Sequence, residues 1–155
     1  MSESIDVPSE LSKDRLRVWL RMLKVTRMIE AELRERMRRS WDMTLPRFDV
    51  MAALSRTGEG LKMSDLSGVL RVSNGNVTGI VDRLVADGLV ERQAVEGDRR
   101  ALNVRLTGDG QRLFAEMAKI HETWVDELLS PIGAQGLSTL QSRLTRIVEQ
   151  LEDKQ

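Results

Sequence analysis

The sequence predicts a mainly α protein with a small β-hairpin (α+β), and three observations predict it. Apolar residues recur at helical spacing along most of the chain. Two runs depart from that pattern: Leu89–Val95, and Ala101–Leu106, which alternates with the period of two expected of a strand. The third observation is the punctuation around them. Asp87-Gly88 ends a helix, because glycine takes the left-handed C-terminal conformation without steric cost, and Glu96-Gly97-Asp98-Arg99-Arg100 makes a charged hairpin tip. A helix followed by an arginine-tipped hairpin is the layout of a winged helix-turn-helix.

Each element has its own signals. Residues 1–11 are polar and aperiodic and read as a flexible arm. Ser12 is the expected N-cap of a long helix reaching about Ser40. Its stripe is Trp19, Met22, Thr26, Ile29, Leu33, Met37 and Trp41, broadened by Leu16, Leu20 and Leu23, with arginines between. Thr44-Leu45-Pro46 starts a second helix, with Thr44 as cap and proline tolerated in the first turn. Phe48, Met51, Ala52 and Leu54 face inward, and Thr57-Gly58-Glu59-Gly60 stops it. Leu61-Lys62-Met63 adds a short strand for the hairpin to pair with, and Ser64–Leu70 is a third, short helix. Ser73 or Asn74 caps the fourth, whose apolar face is Val77, Ile80, Val81, Leu84 and Val85. After the hairpin Thr107 caps a fifth helix with a stripe of Leu113, Met117, Ile120, Trp124 and Leu128, broken by Ser130-Pro131-Ile132-Gly133. The last helix carries Leu137, Leu140, Leu144, Ile147 and Leu151 at three-four spacing over two heptads. That is too short for an independent coiled coil but suited to packing on another helix.

Composition excludes several classes of function. There is no cysteine, which removes disulfides, thiolate metal sites and cysteine redox sensing. The single histidine, His121, gives no basis for a histidine metal site or a Ser-His-Asp triad, and is read as an ordinary helix residue. Gly58-Glu59-Gly60 and Gly108-Asp109-Gly110 are turn glycines rather than phosphate loops. The expectation is no enzyme, no metal and no cofactor. No apolar run approaches a membrane span and the first residues lack a signal-peptide pattern, so the expectation is a cytoplasmic protein without a membrane partner. Net charge is zero, but its distribution is uneven. Residues 13–39 hold ten Lys/Arg against four Asp/Glu, residues 107–155 five against eight, and residues 62–106 seven against six. A basic surface must therefore come from where side chains point, not from bulk charge.

At this point the chain resembles the MarR family of bacterial transcription regulators over nearly its whole length. The most specific part is Asp98-Arg99-Arg100-Ala101-Leu102-Asn103-Val104-Arg105-Leu106-Thr107, which resembles the family's wing signature. Residues 77–84 with Gly88-Leu89-Val90-Glu91-Arg92 are similar to its recognition helix and first wing strand, and residues 45–51 to its second helix. Lys62 or Met63 stands where many members place a Thr or Ser to cap the third helix, and the absence of cysteine separates the chain from the family's peroxide-sensing branch. The resemblance implies a homodimer with intertwined terminal helices: residues 12–41 and 108–155 for dimerisation, residues 44–107 for the winged DNA-binding lobe. It implies a regulator, a repressor in the leading reading, that binds a pseudo-palindromic operator in double-stranded DNA. A winged-helix protein-interaction module without DNA binding is the alternative, consistent with the near-neutral centre.

On the recognition helix, the face opposite the valines shows Ser73, Asn74, Asn76, Thr78, Gly79, Asp82 and Arg83. Small and amide residues there allow close backbone approach and offer donors and acceptors to base edges. Arg83 either contacts phosphate or pairs with Asp82 or Asp87. At the wing, Arg100 is assigned to the minor groove, Arg99 to phosphate and Asp98 to bracing one of them. The resemblance also implies a small anionic, often aromatic, effector between the dimerisation helices and the lobe, whose binding releases DNA. Trp19, Leu23, Arg47, Met51 and Met63 are the candidate lining, Arg47 supplying the cation, although the same methionines and Trp19 would serve equally as core.

Overall fold

Ser9 opens the first helix, α1 (Glu10–Trp41): its hydroxyl accepts from the Ser12 amide at 3.1 Å. The computed structural model describes residues 9–70 and 74–155, the side chains of Val69, Asn74, Arg99 and Arg100 excepted. The expected cap at Ser12 is thus displaced by one turn, because Ser9 three residues earlier satisfies the same orphan amides and puts Glu10 in the first turn, where the helix dipole favours an acid. α1 ends on Asp42, in the left-handed region at φ 50° with its amide bonded back to the Arg38 and Met37 carbonyls.

Thr44 caps α2 (Leu45–Ser55) by accepting from the Arg47 amide, with Pro46 in the first turn where its missing N–H costs nothing. A two-residue strand, β1 (Leu61–Lys62), leads directly into α3 (Met63–Leu70), so Met63 belongs to the helix rather than to the strand. α4 (Asn74–Ala86) buries Val77, Val81 and Leu84 completely, the i, i+4, i+7 positions of one face. Gly88, at φ 73°, ends it, and Leu89 returns its amide to the Leu84 carbonyl.

β2 (Val90–Val95) and β3 (Asp98–Leu106) form the hairpin, and the three strands lie in the antiparallel order β1-β3-β2. Val95 pairs with Asp98, so the turn is only Glu96-Gly97, with Gly97 at φ 84°. Asp98, Arg99 and Arg100 are therefore on strand β3 and not in an open tip, as the five-residue turn read from sequence had them. The left-handed glycine closes the reversal in two residues, and a register shift between Ala94 and Val95 follows it, Ala94 pairing with Leu102. Leu61 opposite Val104 ties β1 to the other side of β3.

Thr107 joins the sheet to α5 (Gly108–Leu129): its hydroxyl donates to the Gly88 carbonyl at 2.7 Å and accepts from the Gly110 amide at 3.0 Å. Gly110 is buried against the Leu89 carbonyl, where any Cβ would collide with backbone. α6 (Ala134–Glu152) follows the Ser130–Gly133 break.

The chain divides into two compact units, one ending at Lys119 and the other spanning Ile120–Gln155. The first holds the core: Leu33 and Met37 of α1, Phe48, Met51 and Leu54 of α2, Leu66, the α4 face, Val90, Val104, Leu106 and Met117. Each such side chain contributes about 1.5–3 kcal/mol when fully buried. Phe48 and Phe114 meet at 5.5 Å between ring centroids. The second unit has no buried residue in α6. The first half of α1 is likewise uncovered, with Leu16, Trp19 and Leu20 each more than half exposed. No helix among the described residues is long and apolar enough to cross a membrane.

Candidate nucleic-acid interface

The burial of Val77, Val81 and Leu84 sets which way α4 faces, and with it what it can touch. Asn76, Thr78, Gly79, Asp82 and Arg83 are all exposed on the remaining surface. Among the described residues, and apart from the helix's own neighbouring backbone, nothing lies within 4 Å of where a Cβ on Gly79 would stand. The glycine therefore costs helix stability, about 1 kcal/mol against alanine, without any packing reason inside the molecule. Ser73 lies outside the described residues. Asn74 is the first residue of α4, and its side chain, like those of Arg99 and Arg100, is outside the description. The backbones of Arg99 and Arg100 run along β3, and Asp98 pairs with Val95 beside the turn.

The two flanks of α4 are held by different ion pairs. On the hairpin side, Asp82 takes Arg92 of β2, a contact between the helix and the first wing strand. One residue earlier on that strand, Glu91 pairs across the hairpin with Arg105 at 2.5 Å. On the other side, Arg83 reaches Asp87 at 3.3 Å, which answers the choice left open by the sequence: Asp82 is engaged by the wing, so Arg83 pairs along its own helix. Asp87 also receives Arg47 of α2 at 3.6 Å. Arg47 is held further by Thr44 Oγ1 and by the Asp42 carbonyl, each at 3.1 Å. Such surface pairs are worth little in stability individually; their effect is to fix angles.

Beside the Arg83 flank lies an open cavity of about 880 Å³, within the usual range for small-ligand sites. Arg34 and Arg38 of α1, Arg47 of α2 and Arg83 of α4 supply cations, and Met43, Leu45, Pro46 and Ile80 supply apolar wall. Asn76 and Gly79 line it too. Arg38 is gripped by both carboxylate oxygens of Glu35, and these bonds, with those from Arg39, hold the Glu35 carboxyl down at about 2. Glu35 is therefore ionised at any pH near neutrality, and Arg38 stays oriented. Of the effector candidates read from sequence, Arg47 lines this cavity and Trp19, Leu23, Met51 and Met63 do not. Met51 is fully buried in the core, Trp19 is exposed on the first half of α1, and Leu23 and Met63 are half-buried elsewhere. Arg34 and Arg38 escaped the sequence reading because a basic face on an amphipathic helix is ordinarily just solvated. Their i, i+4 spacing near the end of α1 was the available signal.

Comparison with known proteins places these features in a family. A family model described as the MarR family matches residues 41–101, from the end of α1 to the second wing strand. The chain is 31% identical to the regulator PecS of Dickeya dadantii over 67% of its own length; that match spans 64% of PecS, just under two thirds. It is 33% identical to the HTH-type transcriptional regulator YfiV of Bacillus subtilis over 90% of its length and 88% of that protein. Among solved structures, a mutant MarR from E. coli complexed with operator DNA superposes with a TM-score of 0.74, at 26% identity, covering 90% of this chain and 99% of that one.

Proposed function

The chain belongs to the MarR family of transcription regulators, and on that premise we propose that it is a repressor that grips operator DNA as a homodimer of winged lobes. The observation that carries the DNA reading is the polar face of α4. Asn76, Thr78, Gly79 and Arg83 stand exposed on a helix whose opposite side is fully buried, with the hairpin fixed to it through Asp82 and Arg92. Such a helix, braced against the lobe, is the form that enters a major groove, while Arg99 and Arg100 on β3 accompany it at the adjacent minor groove and phosphates. Asn74 is the first residue of the helix and Ser73 precedes it in sequence.

The homodimer is supported by surfaces that lack a partner. The first half of α1 and the whole three-four seam of α6 expose large apolar side chains, including Trp19 at 52% and Leu151 at 54%. Two-fold pairing is the commonest way such faces are covered, and two lobes then read the two halves of an inverted repeat. Release of DNA is assigned to a small anionic ligand held by Arg47 and its neighbours in the arginine-lined cavity.

Gly79→Ala tests the DNA reading with two readouts of opposite sign. Because the added methyl meets open space within the protein, thermal unfolding should show stabilisation of about 0.5–1 kcal/mol. Because the same methyl stands between α4 and the groove, affinity for operator duplex should fall about tenfold, ~1.4 kcal/mol. Stabilisation with unchanged duplex affinity would show that this face of α4 does not approach DNA.

A further inference from the structure

We infer that Asp87 is a positioning residue for DNA binding: it holds Arg83 by one donor so that the others meet a backbone phosphate beside the groove. This rests on the DNA reading above. A guanidinium is a planar fork that carries five N–H donors. In Arg83 the Nε donor is taken by Asp87 Oδ2 at 3.3 Å, and the two terminal amino groups have no partner among the described residues. Pairing with Asp87 and contact with phosphate are therefore not alternatives, because the first aims the side chain for the second. An arginine that stands 60% exposed otherwise gives up much rotamer freedom when it meets a phosphate.

Asp87 is itself fixed from the other side. Arg47 of α2 is only 13% exposed and reaches the same Oδ2 at 3.6 Å, while its other nitrogens donate to Thr44 Oγ1 and the Asp42 carbonyl. The contacts thus run from a mostly buried guanidinium, through one carboxylate, to an exposed guanidinium on the face of α4 assigned to DNA. One acid against two bases leaves the trio positive, so it still attracts phosphate. Helix stability does not account for the aspartate. Asp87 directly follows the last residue of α4, where the negative end of the helix dipole disfavours an acid. In pairs four residues apart the acid-first order is the better one, and here the arginine comes first. What the carboxylate does well is set a direction.

The test uses Asp87→Asn and Arg83→Gln, singly and together, in the full chain, with a duplex that the parent protein selects from random DNA. Loss of a negative charge beside a polyanion would by itself tighten binding, so charge and positioning predict opposite signs. Positioning predicts that Asp87→Asn weakens binding about threefold to tenfold in an anisotropy titration, as expected when an ordered side chain is set free. The logarithmic salt slope should flatten toward that of Arg83→Gln, which loses one phosphate contact, about 0.9. The double variant should bind no more weakly than Arg83→Gln alone, and Asp87→Asn should melt no lower than the parent. Unchanged or tighter binding by Asp87→Asn would overturn the inference. So would a loss that recurs in full on the Arg83→Gln background, with or without a lower melting temperature, since Asp87 would then act other than through Arg83. A parent protein that selects no duplex would overturn the DNA reading and this inference with it; a parent that binds while Asp87→Asn binds equally well would remove Asp87 alone.

Discussion

Aspartate at both Leu140 and Leu144 is expected to convert the protein to a monomer of 17.6 kDa and to lower operator affinity by a factor on the order of 10²–10⁴. Neither residue is near the recognition helix in sequence, and neither is buried: they stand 41% and 39% exposed on α6, in line with Leu137, Ile147 and Leu151. Their value as a test lies in the proposed homodimer, in which a second copy covers them. Two carboxylates in the middle of the seam would have to be desolvated against a second copy's apolar face, which costs far more than leucine burial returns. Once the copies part, each lobe binds a half-site alone, and the gain from linking two binding events is lost. Sedimentation should show the lighter species while circular dichroism keeps the helical signal, since α6 buries no residue in its own chain. A variant that remains a dimer would remove α6 from the interface.

The second large effect belongs to the wing. Arg100→Ala should weaken operator binding by about 1–3 kcal/mol in a gel-shift titration, with dimerisation and melting temperature unchanged. Arg100 stands on β3 close behind the hairpin turn, and the proposed DNA reading sets it at the minor groove. Binding by the parent protein should also fall steeply with salt, each phosphate contact adding about −0.9 to the logarithmic slope. The near balance of acid and base between residues 62 and 106 makes this slope informative. A neutral segment can bind a polyanion only through a few well-placed groups. Unchanged affinity in Arg100→Ala would take the wing out of the interface.

Much of the architecture was legible in the chain because local signals agreed with each other. Thr44-Leu45-Pro46, Asp87-Gly88 and the alternation of residues 101–106 each carry a stereochemical reason that survives any tertiary context. Boundaries moved where two residues could do the same work: Ser9 and Ser12 both suit a cap, and the chain uses the earlier. The hairpin turn shrank because Gly97 alone supplies the left-handed conformation, so that Asp98 already pairs with Val95, next to a register shift between Ala94 and Val95. The polar face of α4 was readable, since burial of Val77, Val81 and Leu84 dictates what points away. What sequence could not show was proximity between elements. Arg34 and Arg38 are far along the chain from Ile80 and Arg83, and only folding of the α1–α2 corner beside α4 makes them one cavity. For the same reason Trp19 and Met51, apolar and plausible as ligand wall, turned out to lie on an uncovered helix and in the core. Periodicity says that a residue is apolar on a face; it does not say which neighbour that face meets.

The central claim is that two copies of α4 and its hairpin read DNA sequence together. Repeated selection of bound fragments from random-sequence duplex by the full chain tests it most directly. The account predicts enrichment of an inverted repeat whose half-sites are centred about one helical turn, ~10 base pairs, apart or a multiple of that. Recovery of no preferred sequence after several rounds would contradict it and would favour a winged fold that serves protein interaction instead.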